Sequence, residues 1–150
     1  MRTSEELIQQ LAFEVWADRA QIASIGSVEH PSEQLLQVAW HLLVAAEAWL
    51  CRIDGTEPAA PLEWTTPERE ALPPLLEQVS DHFLRVAMAM DDTRLHAPVT
   101  YTNSRGEPFE NLAGDILEHV LLHGAEHRGQ IAMEVGRLGG EPAETEYIFW

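Results

Sequence analysis

The feature that most constrains this fold is a nearly unbroken apolar run at residues 35–51. Fourteen of these 17 residues are apolar, and they fall on every side of a helix. A helix that is apolar all round has to be surrounded by other parts of the protein. The run is too short for a membrane span and carries Gln37, His41 and Glu47. It therefore predicts the central helix of a core.

Three further segments repeat apolar residues at helical spacing, at about residues 4–25, 72–91 and 111–138. The stretch 98–109 contains an alternating V-T-Y-T before an N-S-R-G turn, and it predicts either a short hairpin or an irregular excursion. Four helices of this length without a larger sheet predict an all-α fold, a four-helix bundle.

Local signals mark where the predicted helices begin. Thr3 and Glu6 match a capping box before the first helix, and Ser32 is a suitable N-cap for the central one. The connections at 56–67 and 92–110 are long enough to cross the bundle. A simple up-down-up-down order therefore does not follow from the sequence.

The charge of the chain narrows the classes of partner. Residues 1–150 have the length of a single domain. The 25 acidic residues outnumber the nine arginines, lysine is absent, and the net charge is −16. Such a surface repels nucleic acids and anionic membranes, so we expect neither as a partner.

The cysteine count and the N-terminus bear on location. Cys51 is the single cysteine, so an internal disulfide is impossible, and it lies about 15 Å along the helix from His41. We interpret it as a small core residue. The N-terminal residues M-R-T-S-E-E show no apolar signal segment. We therefore expect a cytoplasmic protein.

The stretch 119–130, H-V-L-L-H-G-A-E-H-R-G-Q, places a histidine at every fourth position. Residues four apart lie on one face of a helix, so two imidazoles at that spacing can bind one ion. His119 and His127 are about 12 Å apart along the axis and cannot share it. Spacing alone allows His123 to pair with either of them.

A third ligand has to come from another helix. His41 is the best candidate, because a lone imidazole in the buried central helix needs a partner. We interpret His30, His82 and His96 as residues of a turn, the surface and a loop. The alternatives to a metal are a hydrogen-bonded core residue at 41 and a solvated or stacked pair in the last helix.

Four stretches of the sequence resemble the DinB/YfiT-like superfamily of small bacterial helical-bundle proteins, and together they cover most of the chain. They are H-L-L-V-A-A-E-A-W-L-C-R-I at 41–53, V-T-Y-T-N-S-R-G-E-P at 99–108, I-L-E-H-V-L-L-H-G-A-E-H-R-G-Q-I at 116–131 and R-L-G-G-E-P-A-E-T-E-Y-I at 137–148. The last stretch is similar to the T-D-x-I tail of that family, with Glu146 in place of Asp.

The resemblance implies a four-helix bundle of unusual connectivity with one divalent metal ion, zinc or nickel, in a pocket. By motif position it implies that the ligands are His41, His123 and His127, which leaves His119 as a neighbour. It also implies a homodimer.

The resemblance further implies a function, since some relatives transfer low-molecular-weight thiols such as mycothiol, bacillithiol or glutathione. Three neutral imidazoles leave a coordination position open, as in catalytic metal sites. We expect a metal-dependent enzyme that transfers such a thiol to a small electrophile. The alternatives are a metal-dependent hydrolase of a small substrate and a non-enzymatic module that binds a metal or ligand.

The motif leaves the other catalytic groups undetermined. The candidate catalytic residues are His119, Glu126 and Arg128, and the first two are the candidates for a general base. H-G-A-E-H is not the H-E-x-x-H pattern of metalloproteases, because its Glu does not follow the first His. The sequence predicts no cofactor-binding residue beyond the metal ligands.

Overall fold

The structure, a computed structural model, describes residues 3–150. The described residues form a mainly helical fold with one small sheet. Its helices are α1 (Ser4–Ser24), α2 (Glu33–Asp54), α3 (Leu72–Ala89), α4 (Asp92–Leu95) and α5 (Ala113–Arg137), and its strands are β1 (Pro98–Thr102) and β2 (Pro108–Leu112).

The helix ends follow the local signals in the sequence. The Thr3 hydroxyl accepts a hydrogen bond from the Glu6 amide, and the Glu6 carboxylate accepts one from the Thr3 amide, so the capping box is confirmed. The Ser32 hydroxyl accepts from the Leu35 amide at 3.1 Å and begins α2. Gly55 ends α2 with φ at 69°, a left-handed conformation that glycine adopts without strain.

The segment that could be a hairpin or an irregular excursion is a hairpin. Strands β1 and β2 pair antiparallel, and the Tyr101 ring stacks on Phe109 across them. The Tyr101 ring also contacts Trp49 of α2 edge-on, with centroids 5.3 Å apart. The hairpin leads directly into α5, so it helps to fix where the last helix begins.

Helix α2 is the centre of the core, as its composition predicts. It packs against both α3 and α5, and α1 packs against the same two helices. By length and composition α2 would be able to cross a membrane, but 67% of its most apolar window is buried within the protein. We interpret these contacts as those of a four-helix bundle in which some connections cross the bundle.

A buried ion cluster joins α5 to α1. The Arg128 guanidinium lies 2.6 Å from a Glu14 carboxylate oxygen and 2.8 Å from one of Asp18. All three side chains are at most 5% exposed. Glu14 fits because residue 124 is a glycine: a Cβ there would lie 1.8 Å from the Glu14 Oε1 atom.

The cluster contains two carboxyl groups but one cation, and this imbalance determines whether a carboxyl group keeps its proton. Burial and the charge of Asp18 raise the pKa of Glu14 to about 8, although Arg128 opposes the shift. Burial also raises the pKa of Asp18 to about 6, again against Arg128. The Oε2 atom of Glu14 has no hydrogen-bond partner among the described residues. Glu14 is therefore favoured in its protonated form at neutral pH.

Two glycines of α5 give a matched test of this cluster. We expect Gly124→Ala to lower the free energy of unfolding by at least about 2 kcal/mol, because the new methyl group displaces Glu14 from Arg128. Gly129 has open space around it, so Gly129→Ala should raise the free energy of unfolding by about 1 kcal/mol. Urea denaturation measures both, and equal effects of the two substitutions would contradict the assignment.

The raised pKa of Glu14 predicts a pH dependence. The folded chain keeps the Glu14 proton up to about pH 8, whereas the unfolded chain loses it near pH 4.5. The folded state thus binds more protons in this window, so the free energy of unfolding falls as pH rises through it. We expect Glu14→Gln to flatten this fall, most clearly above about pH 6, where Asp18 has already titrated. Parallel pH profiles of the two proteins in urea denaturation would refute the prediction.

Candidate metal centre

Three histidine rings converge where α2 packs against α5. His41 comes from α2, and His123 and His127 lie one turn apart on α5. Each ring offers one nitrogen, and these three nitrogens lie within 4.8 Å of one another. The two Nε2 atoms of His123 and His127 are 3.0 Å apart. The structure therefore brings together the same three histidines that the resemblance implies as ligands.

Two neighbouring side chains orient the rings. The Gln130 amide oxygen lies 2.7 Å from Nδ1 of His127, one helical turn further along α5. If that nitrogen carries the proton, Nε2 of His127 presents its lone pair to the cluster, the usual arrangement for a metal-binding histidine. The Trp64 ring stacks on His41, with centroids 4.1 Å apart and planes inclined by 10°.

The surroundings of His41 and His123 favour the neutral form of these two rings. Burial lowers the pKa of His41, and the nearby His127 lowers it further. Burial and the neighbouring His127, His41 and His119 lower the pKa of His123 to about 4. A neutral imidazole is the form that binds a metal, because protonation blocks its lone pair.

One unsatisfied atom tests whether these residues fit a metal. Nδ1 of His41 is buried and has no hydrogen-bond partner among the described residues. A buried polar atom without a partner costs roughly 1–3 kcal/mol, which an ion bound at this nitrogen would offset. Three imidazole nitrogens suit zinc, nickel and similar divalent ions. The residues present therefore fit such an ion.

The other candidate site residues lie around this cluster in different ways. His119 is exposed, and its ring contacts Trp49 and lies 5.7 Å from the His123 ring, centroid to centroid. Glu126 is exposed and contributes no atom to the three-nitrogen cluster. Arg128 faces α1, where Glu14 and Asp18 take up its charge. Arg128 is thus not placed to hold a substrate at the histidines.

His82 corrects the sequence interpretation, which assigned it to the surface. It is 3% exposed, and its Nδ1 atom lies 2.8 Å from Glu47 and its Nε2 atom 2.9 Å from Asp54. The hydrogen bond to Glu47 raises the pKa of His82 although burial opposes this. The exposed neighbour Asp81 misled the interpretation, since adjacent helical residues point about 100° apart.

A second group of potential metal ligands therefore lies in the core. Besides Glu47 and His82 it includes Cys51, whose buried sulfur lies 3.8 Å from a Glu47 oxygen. Cys51 is 2% exposed, as expected of a core residue. No sequence pattern joins these three residues, because His82 comes from α3 and the other two from α2.

Two residues at the first cluster were also missed from the sequence. Gln130 carried a weak signal, since it lies three residues after His127 and so about one turn along the same helix. Trp64 carried none, because it lies in the long connection between α2 and α3. This connection is held to α2 by a hydrogen bond of 2.7 Å from the Gln37 amide to the Thr66 hydroxyl.

The fold and the site together define the class of this protein: it is mainly helical and brings three histidines together at one point. The chain belongs to the DinB family, whose family model matches residues 2–150. No curated protein matches the chain.

A solved structure supports the same fold. A crystal structure of a DinB-like protein from Bacillus cereus superposes with a TM-score of 0.72 and 16% sequence identity. The match covers 95% of this chain and 97% of that chain. At this level of identity the likeness concerns the fold.

Two neighbouring histidines of α5 provide a matched test of the metal centre. We expect His123→Ala to lose about one equivalent of bound zinc relative to the unaltered protein, because two imidazoles hold an ion poorly. His119→Ala should keep that equivalent, since His119 lies outside the cluster. Elemental analysis after dialysis measures both, with circular dichroism to check the fold. Unchanged zinc content in His123→Ala would rule out the centre.

Proposed function

We propose that this protein is a metal-dependent enzyme that transfers a low-molecular-weight thiol to a small electrophile. The observation that carries the proposal is the convergence of His41, His123 and His127, with a buried nitrogen of His41 that has no hydrogen-bond partner within residues 3–150. An arrangement of three protein ligands with a further position open is typical of catalytic rather than structural metal sites.

The chemistry of the proposed reaction is nucleophilic substitution. When bound, zinc or nickel supplies a Lewis acid that lowers the pKa of a thiol held at the open position. The sulfur forms a bond to the electrophilic carbon, the leaving group departs with its electron pair, and the thiol proton passes to a base or to water. His119 is the candidate base, because its ring lies beside His123 and is exposed.

The chain's own residues prepare this site in two ways. Gln130 fixes the ring of His127 through Nδ1, so the orientation of that ligand does not depend on the substrate. Trp64 covers one face of His41 and restricts water there. Trp64 itself is 56% exposed, so it lies between His41 and solvent.

A cavity next to the histidines has the size for a small substrate. It measures about 310 Å³ and shares Trp64 and Gln130 with the metal centre. Its polar lining includes the amides of Gln34 and Gln37, which suit a ligand with several hydrogen-bonding groups. None of the three histidines lines this cavity itself, and another cavity, of about 410 Å³ between α1 and α3, is lined by neither Trp64 nor Gln130.

The proposal extends to partners and location. We propose a homodimer in the cytoplasm that binds neither nucleic acid nor membranes, since the net charge of −16 opposes both polyanions. An exposed aromatic patch supports the dimer. Tyr147, Phe149 and Trp150 of the C-terminal tail are 45% exposed or more, and the Tyr147 ring packs on Phe13 of α1.

The activity is tested with metal-loaded protein, a panel of low-molecular-weight thiols and an activated haloarene as electrophile. We expect loss of free thiol and formation of the thioether in the presence of zinc or nickel, both abolished in His123→Ala. Thiol consumption and product mass are measured together. His119→Ala should retain the metal but react more slowly if it is the base.

Two other results would replace the proposal. Turnover of esters or amides without thiol consumption would identify a hydrolase that uses a metal-bound water. Tight metal binding without turnover of any thiol, ester or amide would identify a binding module.

A further inference from the structure

We propose a second metal site in this protein, formed by Glu47, Cys51 and His82, for a thiol-binding divalent ion such as zinc. It is independent of the three-histidine centre and of the function proposed for it. Glu47 and Cys51 are six and ten residues from His41, so they lie about 9 and 15 Å further along α2.

The geometry brings three different donor atoms to one point. Glu47 and Cys51 are four residues apart and lie on the same face of α2, which packs against α3 and His82. One atom from each side chain lies within 4.8 Å of the other two. The Cys51 sulfur and the Glu47 oxygen are 3.8 Å apart, close to the separation that Zn–S and Zn–O bonds of about 2.3 and 2.0 Å produce at a tetrahedral ion.

The orientation of His82 matches that of a metal ligand. Its Nε2 atom lies 2.9 Å from the Asp54 carboxylate, and the other oxygen of Asp54 accepts a hydrogen bond from Arg94 at 2.8 Å. Metal-binding histidines commonly donate one ring N–H to a carboxylate in this way, which fixes the ring and turns the other nitrogen to the ion. Here the other nitrogen is Nδ1, and it faces Glu47.

Charge balance favours the same ion. Glu47 and Cys51 are both buried, and a carboxylate and a thiolate together carry the two negative charges that a divalent ion neutralises. Binding would replace two protons, one on the Cys51 sulfur and one between His82 and Glu47. The thiolate selects zinc, cobalt or cadmium over magnesium or calcium, which prefer oxygen ligands.

The consequence would be a cross-link between two helices of the core. The ion would join α2 to α3 at the end of α2 remote from His41. The three-histidine centre joins α2 to α5, so the two sites would hold α2 on two different sides. Because all three ligands are buried, the ion would add its binding free energy to the packing of these two helices.

Cobalt gives a decisive test, because Cys51 is the chain's single cysteine. The full-length protein is titrated with cobalt(II) alone, with Cys51 kept reduced by a phosphine. Thiolate bound to cobalt gives a charge-transfer band in the near ultraviolet, which imidazole ligands do not give. We expect the band to saturate by about two equivalents of added cobalt per chain, because the three histidines take up one of them, and to disappear when zinc is added. Absence of the band at excess cobalt, with Cys51 shown to be reduced, would overturn the proposal.

Single substitutions then identify the side chains that bind the cobalt ion. Cys51→Ala should abolish the band, and Asp54→Asn should weaken cobalt binding about 10–100-fold through the lost support of His82. Ser80→Ala, a change of another buried polar residue on α3, should leave the band unchanged. A band of unchanged affinity in both Glu47→Gln and His82→Gln would overturn the proposed ligands.

One further variant separates the two sites. His123→Ala should keep the cobalt–thiolate band although it loses the equivalent held by the three histidines. Loss of the band in folded His123→Ala would show that the sites are not independent and would overturn the second site as proposed.

Discussion

The burial of α2 on nearly all sides is the constraint on which the rest of the structure depends. Because other elements surround this helix, each of its buried polar groups has to find a partner on one of them. His41 meets the two histidines of α5 on one side. Glu47 meets His82 of α3 on another. Both candidate metal sites therefore arise where the central helix cannot reach water.

Helix α5 shows how one element can serve chemistry and stability together. His123 and His127 face α2, whereas Arg128 points to α1 and binds two buried carboxyl groups. The neighbours 127 and 128 are about 100° apart around the helix, so a single step in sequence moves from the metal centre to the ion cluster. Gly124 belongs to the second face, because only a residue without a side chain leaves room for Glu14.

Buried charges in this acidic protein occur in groups that compensate one another. Arg128 opposes Glu14 and Asp18, while His82 lies between Glu47 and Asp54, with Arg94 on the far side of Asp54. An isolated buried charge would be too costly, so each group either has an opposite partner or keeps its proton. The three histidines at the first site are the exception, since they have no counter-charge among themselves, and the surroundings of His41 and His123 disfavour protonation of these two rings.

The sequence by itself determined the long helices, several of their ends and the position of His123 one turn from both His119 and His127, because helical spacing and caps depend on residues a few positions apart. The choice of His127 over His119 came from the family resemblance and not from spacing. It also indicated that His41 needs a partner, since a buried imidazole does. Only the tertiary structure decided that His82 is buried, that Trp64 stacks on His41 and that Arg128 belongs to α1. These contacts join residues far apart in the chain, and no local pattern records which face of one helix another will cover.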